Sequence, residues 1–292
     1  MNFMKRNLLF IVMLCLVFSS AYSQYIVAVG GGDPLEYTHK VDTITKYNIQ
    51  IQYELRFMPD TLERDNYERR TTLLNLSSEG ISSFCEYSLF KRDSIKTPHI
   101  EDGKVRLSII NKAMRYGGRV HDNYIIVKSW PEKNKLFYIE TIGIDGRFKY
   151  TEDLPDFGWK VDFTQTKEIG GYTCHSAQGS YAGRDYRAWF TMDIPVNNVP
   201  WKFQVLPGLI LEVSSLDKEY SYTCMSIRNT EGPIIVTGVD VAGKTSRENF
   251  LKAYKRYKKN PATAFSAMGD KIQSSTNFKN RKDRAINPQE KY

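Results

Sequence analysis

KEIGGYTCHSAQGSYAGRDYRAWFTMDIPVNNVPWKFQVLPGLILEV, Lys167 to Val213, is the densest run of strand signals, turn punctuation and aromatic residues in the chain. Inside it, Ile169 to Tyr181 and Tyr186 to Met192 read as aromatic-rich strands. Between them, Ala182-Gly183-Arg184-Asp185 places a glycine where a hairpin with a bulge needs one. Leu206-Pro207-Gly208-Leu209 reads as a type II turn, with proline fixing φ at the first central position and glycine supplying the positive φ of the second. A strand, Leu209 to Val213, leaves that turn. The order hairpin, crossing segment, turn, strand asks for an antiparallel sheet.

Further strands follow on either side. From Thr43 to Phe57 the residues alternate, with Tyr47, Ile49, Ile51, Tyr53 and Leu55 on one face, which predicts a long half-buried strand. Arg69 to Leu76 and Ser82 to Phe90 read as a pair, and Lys91 to Lys104, polar and carrying Pro98, as a loop. Asn123 to Trp130, Lys135 to Thr141, Gly146 to Tyr150, Trp159 to Phe163, Tyr220 to Ile227 and Pro233 to Val239 continue the series. Tyr25 to Val29 is a short strand ended by Gly30-Gly31-Gly32-Asp33-Pro34, whose spacing is not that of a dinucleotide loop. About a dozen short strands with little helical periodicity predict a mainly β, antiparallel fold. Barrel, half-barrel and sandwich all satisfy the spacing.

The two ends differ from this body. Lys5 and Arg6, the apolar run Leu8 to Phe18 and Ala21-Tyr22-Ser23 have the form of a secretory signal peptide over residues 1–23, with cleavage before Gln24. The apolar run is too short for the ~20 residues of a membrane span. The expected location is therefore periplasmic or secreted. An antiparallel β domain is expected over residues 24–242, and a basic helix and polar tail over 243–292. From Gly243 to Tyr292 there are 13 Lys and Arg against 4 Asp and Glu, so the tail carries the basicity and the body is mildly acidic. Ser246 can cap the helix, with Phe250, Leu251 and Tyr254 facing inward and Lys252, Lys255, Arg256, Lys258 and Lys259 on its basic side, a surface suited to anionic lipid headgroups. Asn277 to Tyr292 is nearly all polar and reads as a poorly ordered tail. Of Cys85, Cys174 and Cys224, the last two sit in mid-strand and are the preferred disulfide, with three buried thiols as the alternative.

The central stretch resembles the GLPGLI family, exported proteins of Bacteroidetes bacteria. The likeness rests on Val205-Leu206-Pro207-Gly208-Leu209-Ile210, on Ile169 to Cys174, on Gly183-Arg184-Asp185-Tyr186-Arg187-Ala188-Trp189-Phe190-Thr191 and on Pro200-Trp201-Lys202-Phe203. Two positions depart from the pattern, because Val205 and Val199 stand where the family has glycine. The resemblance brings no established activity. More loosely, the order of elements is similar to that of LolA-type periplasmic carriers. That likeness implies a curved antiparallel sheet, a half-barrel or open barrel, to which the residues after Gly243 add a short C-terminal helix and a polar tail.

No catalytic arrangement stands out. His39, His99, His121 and His175 have no metal-binding spacing, and Cys174 and His175, adjacent on a strand, point to opposite faces. There is no G-x-S-x-G elbow. Arg184-Asp185 reads as a surface ion pair in a hairpin connector. No cofactor, metal or nucleic acid is expected. The candidate ligand-binding residues are Trp189, Trp201, Phe203, Leu206, Pro207, Gly208 and Leu209, as an apolar groove for an acyl chain or an extended polypeptide. The reading is a non-enzymatic binding or accessory module of the cell envelope, holding an apolar ligand or an outer-membrane protein partner. The alternative is a hydrolase of an envelope polymer, which needs convergent carboxylates.

Overall fold

The computed structural model describes residues 33–143, 146–196, 199–259 and 288–291. The expected signal peptide, the expected strand at Tyr25 to Val29 and most of the expected polar tail lie outside the described residues.

The fold is mainly β. β1 (Leu35–Tyr37) pairs with β5 (Lys104–Arg106) in a small sheet. The main sheet begins with β2 (Val41–Phe57), β3 (Glu68–Leu76), β4 (Ser82–Glu86), β6 (Ile125–Lys128), β7 (Lys135–Ile142) and β8 (Gly146–Asp153). It continues with β9 (Lys160–Ile169), β10 (Tyr172–Tyr181), β11 (Arg184–Thr191), β12 (Leu209–Ser215), β13 (Tyr220–Thr237) and β14 (Gly243–Lys244). The strand order is β14-β8-β7-β6-β4-β3-β2-β13-β12-β11-β10-β9. Every pairing is antiparallel except β14 with β8, and the sheet is not closed into a barrel.

This sheet bends strongly. β4 and β13 are separated by β3 and β2, a flat-sheet distance of about 14 Å at ~4.8 Å per strand. Yet the rings of Phe84 and Tyr222, on those two strands, lie 6.1 Å apart. Likewise the Tyr53 hydroxyl on β2 donates to the Ile210 carbonyl on β12 at 2.8 Å, across the intervening β13. Both contacts require a concave face. The alternation read in β2 follows that face for Ile51, Tyr53 and Leu55, which are buried in it, and for Ile49, partly so; Tyr47 is also buried, its hydroxyl accepting from the Gln50 amide at 3.3 Å.

The crossing segment between β11 and β12 fills the concavity. Phe203 packs against Phe157, Tyr186, Trp201 and Tyr222. Lys128 of β6, wholly buried, donates to the carbonyls of Val199 at 2.9 Å and Phe203 at 2.6 Å, and its desolvation lowers the pKa to about 7. The Trp159 indole donates to Gln204 O at 2.9 Å.

On the other face lie two helices absent from the sequence reading. α1 (Tyr87–Lys96) replaces the strand end and loop expected there, and α2 (Leu107–Gly117) packs on it. At their crossing a Cβ on Gly117 would come within 2.4 Å of the Arg92 side chain, so glycine is what lets them approach. Cys85, Ile125, Val127, Phe137 and Ile139 form a second core on this side, with Leu89 and Phe90 of α1 packed against it. Burial on both faces explains why β6 and β7 are almost continuously apolar rather than alternating.

Several local expectations are corrected. The hairpin turns through Ala182 and Gly183 alone, with φ of 47° and 75°, so Arg184 starts β11 instead of belonging to the connector. Cys85, Cys174 and Cys224 are free thiols, so the preferred disulfide is not made; the Cys174 thiol instead donates to Tyr172 O at 3.6 Å. The Pro-Gly turn lacks the bond of a type II turn: Leu209 N donates to Ile194 O at 3.0 Å and Gly208 N to Leu206 O at 2.8 Å. Just before it, Val205 is exposed and holds φ at 72°, a region that costs a β-branched residue about 1–3 kcal/mol. Val205→Gly is expected to stabilise the fold by about 1 kcal/mol after the entropy cost of glycine, raising Tm by roughly 2–4 °C in a thermal melt.

Candidate functional site

After β14, Ser246 caps α3 (Arg247–Lys259), its hydroxyl accepting from Asn249 N at 3.2 Å. The helix lies over the concave face near β7 and β8. Phe250 is buried against Tyr138 and Tyr150, with ring centroids 5.2 Å and 5.4 Å away, and stacks on Tyr254.

Between this helix and the sheet is a cavity of about 490 Å³. Its aromatic wall comes from Tyr124, Tyr138, Tyr150, Trp201, Tyr220, Phe250 and Tyr254, and Leu55, Phe57 and Leu251 add aliphatic and ring surface. Burial holds the phenols of Tyr124, Tyr138, Tyr220 and Tyr254 protonated, with pKa values above the ordinary tyrosine range. Arg70, Arg119, Lys255 and Lys258 supply cations to the lining, against Glu68, Asp122 and Glu290. Glu86, buried, accepts from the backbone N–H groups of His121 at 3.0 Å and Asp122 at 2.8 Å, and so pins the loop that carries this part of the wall.

A buried ion network closes one side. Lys202 Nζ, fully covered, lies 2.6 Å from Glu152 and 2.7 Å from Glu290, and Arg247 at the start of α3 contacts both carboxylates. Burial raises the Glu152 carboxyl. For Glu290 burial works in the same direction but is outweighed by Lys202 and Arg247, which hold it below the ordinary value. Arg184 is also fully buried, 2.5 Å from Asp217 and 2.6 Å from Glu219. The surface pair expected between Arg184 and Asp185 is not formed as such: Asp185 instead accepts from the Ser180 hydroxyl at 2.5 Å.

Of the seven residues singled out in the sequence, Trp201 lies on the cavity wall. Phe203, Leu206 and Leu209 are enclosed in the core, Gly208 is buried and Pro207 is exposed. Trp189 is half-buried on the alternate face of β11, with the Lys167 ammonium 5.7 Å from its ring. The tyrosines of the wall carried a usable signal, since Tyr138 and Tyr150 fall on the inward register of paired strands.

Glu140, whose pKa burial raises to about 7, accepts from the Tyr138 hydroxyl at 2.6 Å and is not part of the cavity lining. Because its folded pKa lies above its unfolded value near 4.5, the unfolded chain loses this proton first. Stability from this group therefore falls as pH rises from about 4.5 to about 7. Glu140→Gln is expected to gain on the order of 2–3 kcal/mol over wild type at pH 8 and little at pH 4, read from denaturant unfolding at both. Among the described residues no group of His, Cys, Asp and Glu is placed to hold a metal ion.

Comparison with known proteins adds little beyond this geometry. No curated protein matches the chain. Two crystal forms of PNGF-II are similar in structure, with TM-scores of 0.45 and 0.46 at 12% identity, covering 73% and 72% of this chain. The chain spans about a third of the PNGF-II length, 34% and 33% in the two forms. A LolA superfamily protein from Nitrosomonas europaea aligns over 62% of this chain and 86% of its own, with TM-score 0.22 and 7% identity. Likenesses this weak carry no functional argument. Residues 180–212, which hold Arg184, Trp201, Lys202 and Gly208, match the model of a Bacteroidetes-associated family described as a protein of unknown function (Porph_ging).

Proposed function

We propose that this chain is an exported, non-enzymatic binding protein of the GLPGLI family, acting in the bacterial cell envelope after removal of residues 1–23. In this reading the cavity between the concave sheet and α3 holds the apolar part of an amphipathic ligand, whose anionic end meets Arg119, Lys255 and Lys258. The aromatic-walled cavity of about 490 Å³ carries the reading, because it falls within the ~300–1,000 Å³ of small-molecule sites and joins apolar walls to a few charged groups. The exposed Lys252, Lys255 and Arg256 of α3 would hold the protein to an anionic membrane surface or an outer-membrane protein partner while the ligand is exchanged.

The test is displacement of an environment-sensitive apolar fluorophore by a long-chain fatty acid. Wild type is expected to release the fluorophore at micromolar fatty acid. Leu251→Trp, which puts a ring into the cavity, is expected to lose at least tenfold in affinity for both. Lys255→Glu is expected to weaken the fatty acid severalfold while leaving the neutral fluorophore unchanged. No fluorophore binding to folded wild type, or equal binding by Leu251→Trp, contradicts the reading.

A further inference from the structure

Beside the cavity the segment Pro288–Lys291 is held as a bound peptide would be. The Arg184 guanidinium donates to Pro288 O at 3.0 Å and to Gln289 O at 3.1 Å. The Tyr222 hydroxyl donates to Gln289 Oε1 at 2.9 Å, and the Glu290 carboxylate sits between Lys202 and Arg247. Lys291 N donates to Ala182 O at 2.7 Å. Main-chain bonds thus hold a backbone bent at Gln289 and Glu290 while two side chains are read individually, the division of labour found in peptide recognition.

The cradle is built without the segment. Arg184, Tyr222 and Ala182 lie on or between strands of the sheet, and the two buried cations keep carboxylates of the body, Asp217 and Glu219 for Arg184 and Glu152 for Lys202. Departure of the segment therefore leaves neither charge unpaired. We propose that this cradle is a peptide-recognition site, filled here by the chain's own Pro288–Lys291, that accepts a proline-glutamine-glutamate segment from another polypeptide. The tethered copy competes as an intramolecular occupant, so the site is self-occluded and an incoming segment must displace it.

Fluorescence anisotropy with a labelled hexapeptide of the sequence Asn287 to Tyr292 tests this on the full chain. The double variant Gln289→Ala/Glu290→Ala, which weakens the internal occupant, is expected to bind the peptide at least tenfold more tightly than wild type does. A peptide with glutamine in place of the residue matching Glu290 is expected to lose at least tenfold on that variant. Hydrogen exchange on wild type gives a second readout that needs no variant: excess peptide should speed exchange of the Lys291 amide, which Ala182 O otherwise protects. A folded double variant that binds no better than wild type, indifference to the glutamine exchange, or an unchanged Lys291 amide overturns the proposal. Should the double variant fail to fold, the Lys291 amide decides.

Discussion

Gly208→Ala is expected to be the most damaging single methyl in the chain. A Cβ there would lie 2.0 Å from the carbonyl oxygen of Thr191 and 2.8 Å from its carbon, both backbone atoms of the strand on which the turn rests. The residue also holds φ at 155°, which alanine adopts only with strain. Neither atom can swing aside as a flexible side chain would. Overpacking and strain together should cost about 3 kcal/mol or more, a fall in Tm on the order of 10 °C for a domain of this size. Circular-dichroism melting measures it directly; a Tm within 2 °C of wild type would show that the crossing segment is not wedged against β11. Ala in place of exposed Pro207 should be mild by comparison.

Arg184→Met carries the second large effect. The guanidinium is fully buried, faces Asp217 and Glu219, and stands 4.8 Å from the Tyr220 ring centroid. Removing one member of such a network strands the others, typically at 3–5 kcal/mol. Here Lys291, 2.9 Å from Asp217 and 3.4 Å from Glu219, offers partial compensation, so a loss of about 3 kcal/mol is expected. Most of that loss should be recovered when Asp217→Asn and Glu219→Gln are added, since the penalty lies in the carboxylates left behind. A double-mutant cycle from denaturant unfolding separates the contributions; independent, additive losses would contradict the network.

The two variants also mark what could and could not be read from the residues in order. Patterns of period 2 located β2 and the hairpin, because one face of each is buried and the other polar. Ser246 followed by Phe250 and Tyr254 located α3, because the cap and the inward face are local features. The helices α1 and α2 escaped notice: Tyr87 follows Glu86 of β4 with no turn signal between them, and only Ala113 and Gly117 of α2 are buried. The buried cations Arg184, Lys202 and Lys128 were illegible for a different reason. A charged residue reads as exposed, and only the fold brings Asp217 to Arg184, Glu152 and Glu290 to Lys202, and the Val199 and Phe203 carbonyls to Lys128. The cavity was legible only in part: Tyr138 and Tyr150 share an inward register, but Tyr124, Tyr220 and Tyr254 join them from the loop before β6, from β13 and from α3 only because the sheet bends.

Native mass spectrometry of the protein purified gently from its own cells tests the central claim most directly. The account gives a mass calculated from Gln24 onward plus an adduct of amphiphile size, with that adduct absent from the Leu251→Trp variant. An adduct retained equally by Leu251→Trp, or a bare polypeptide mass in preparations that keep other envelope proteins loaded, would contradict a ligand held between α3 and the concave sheet.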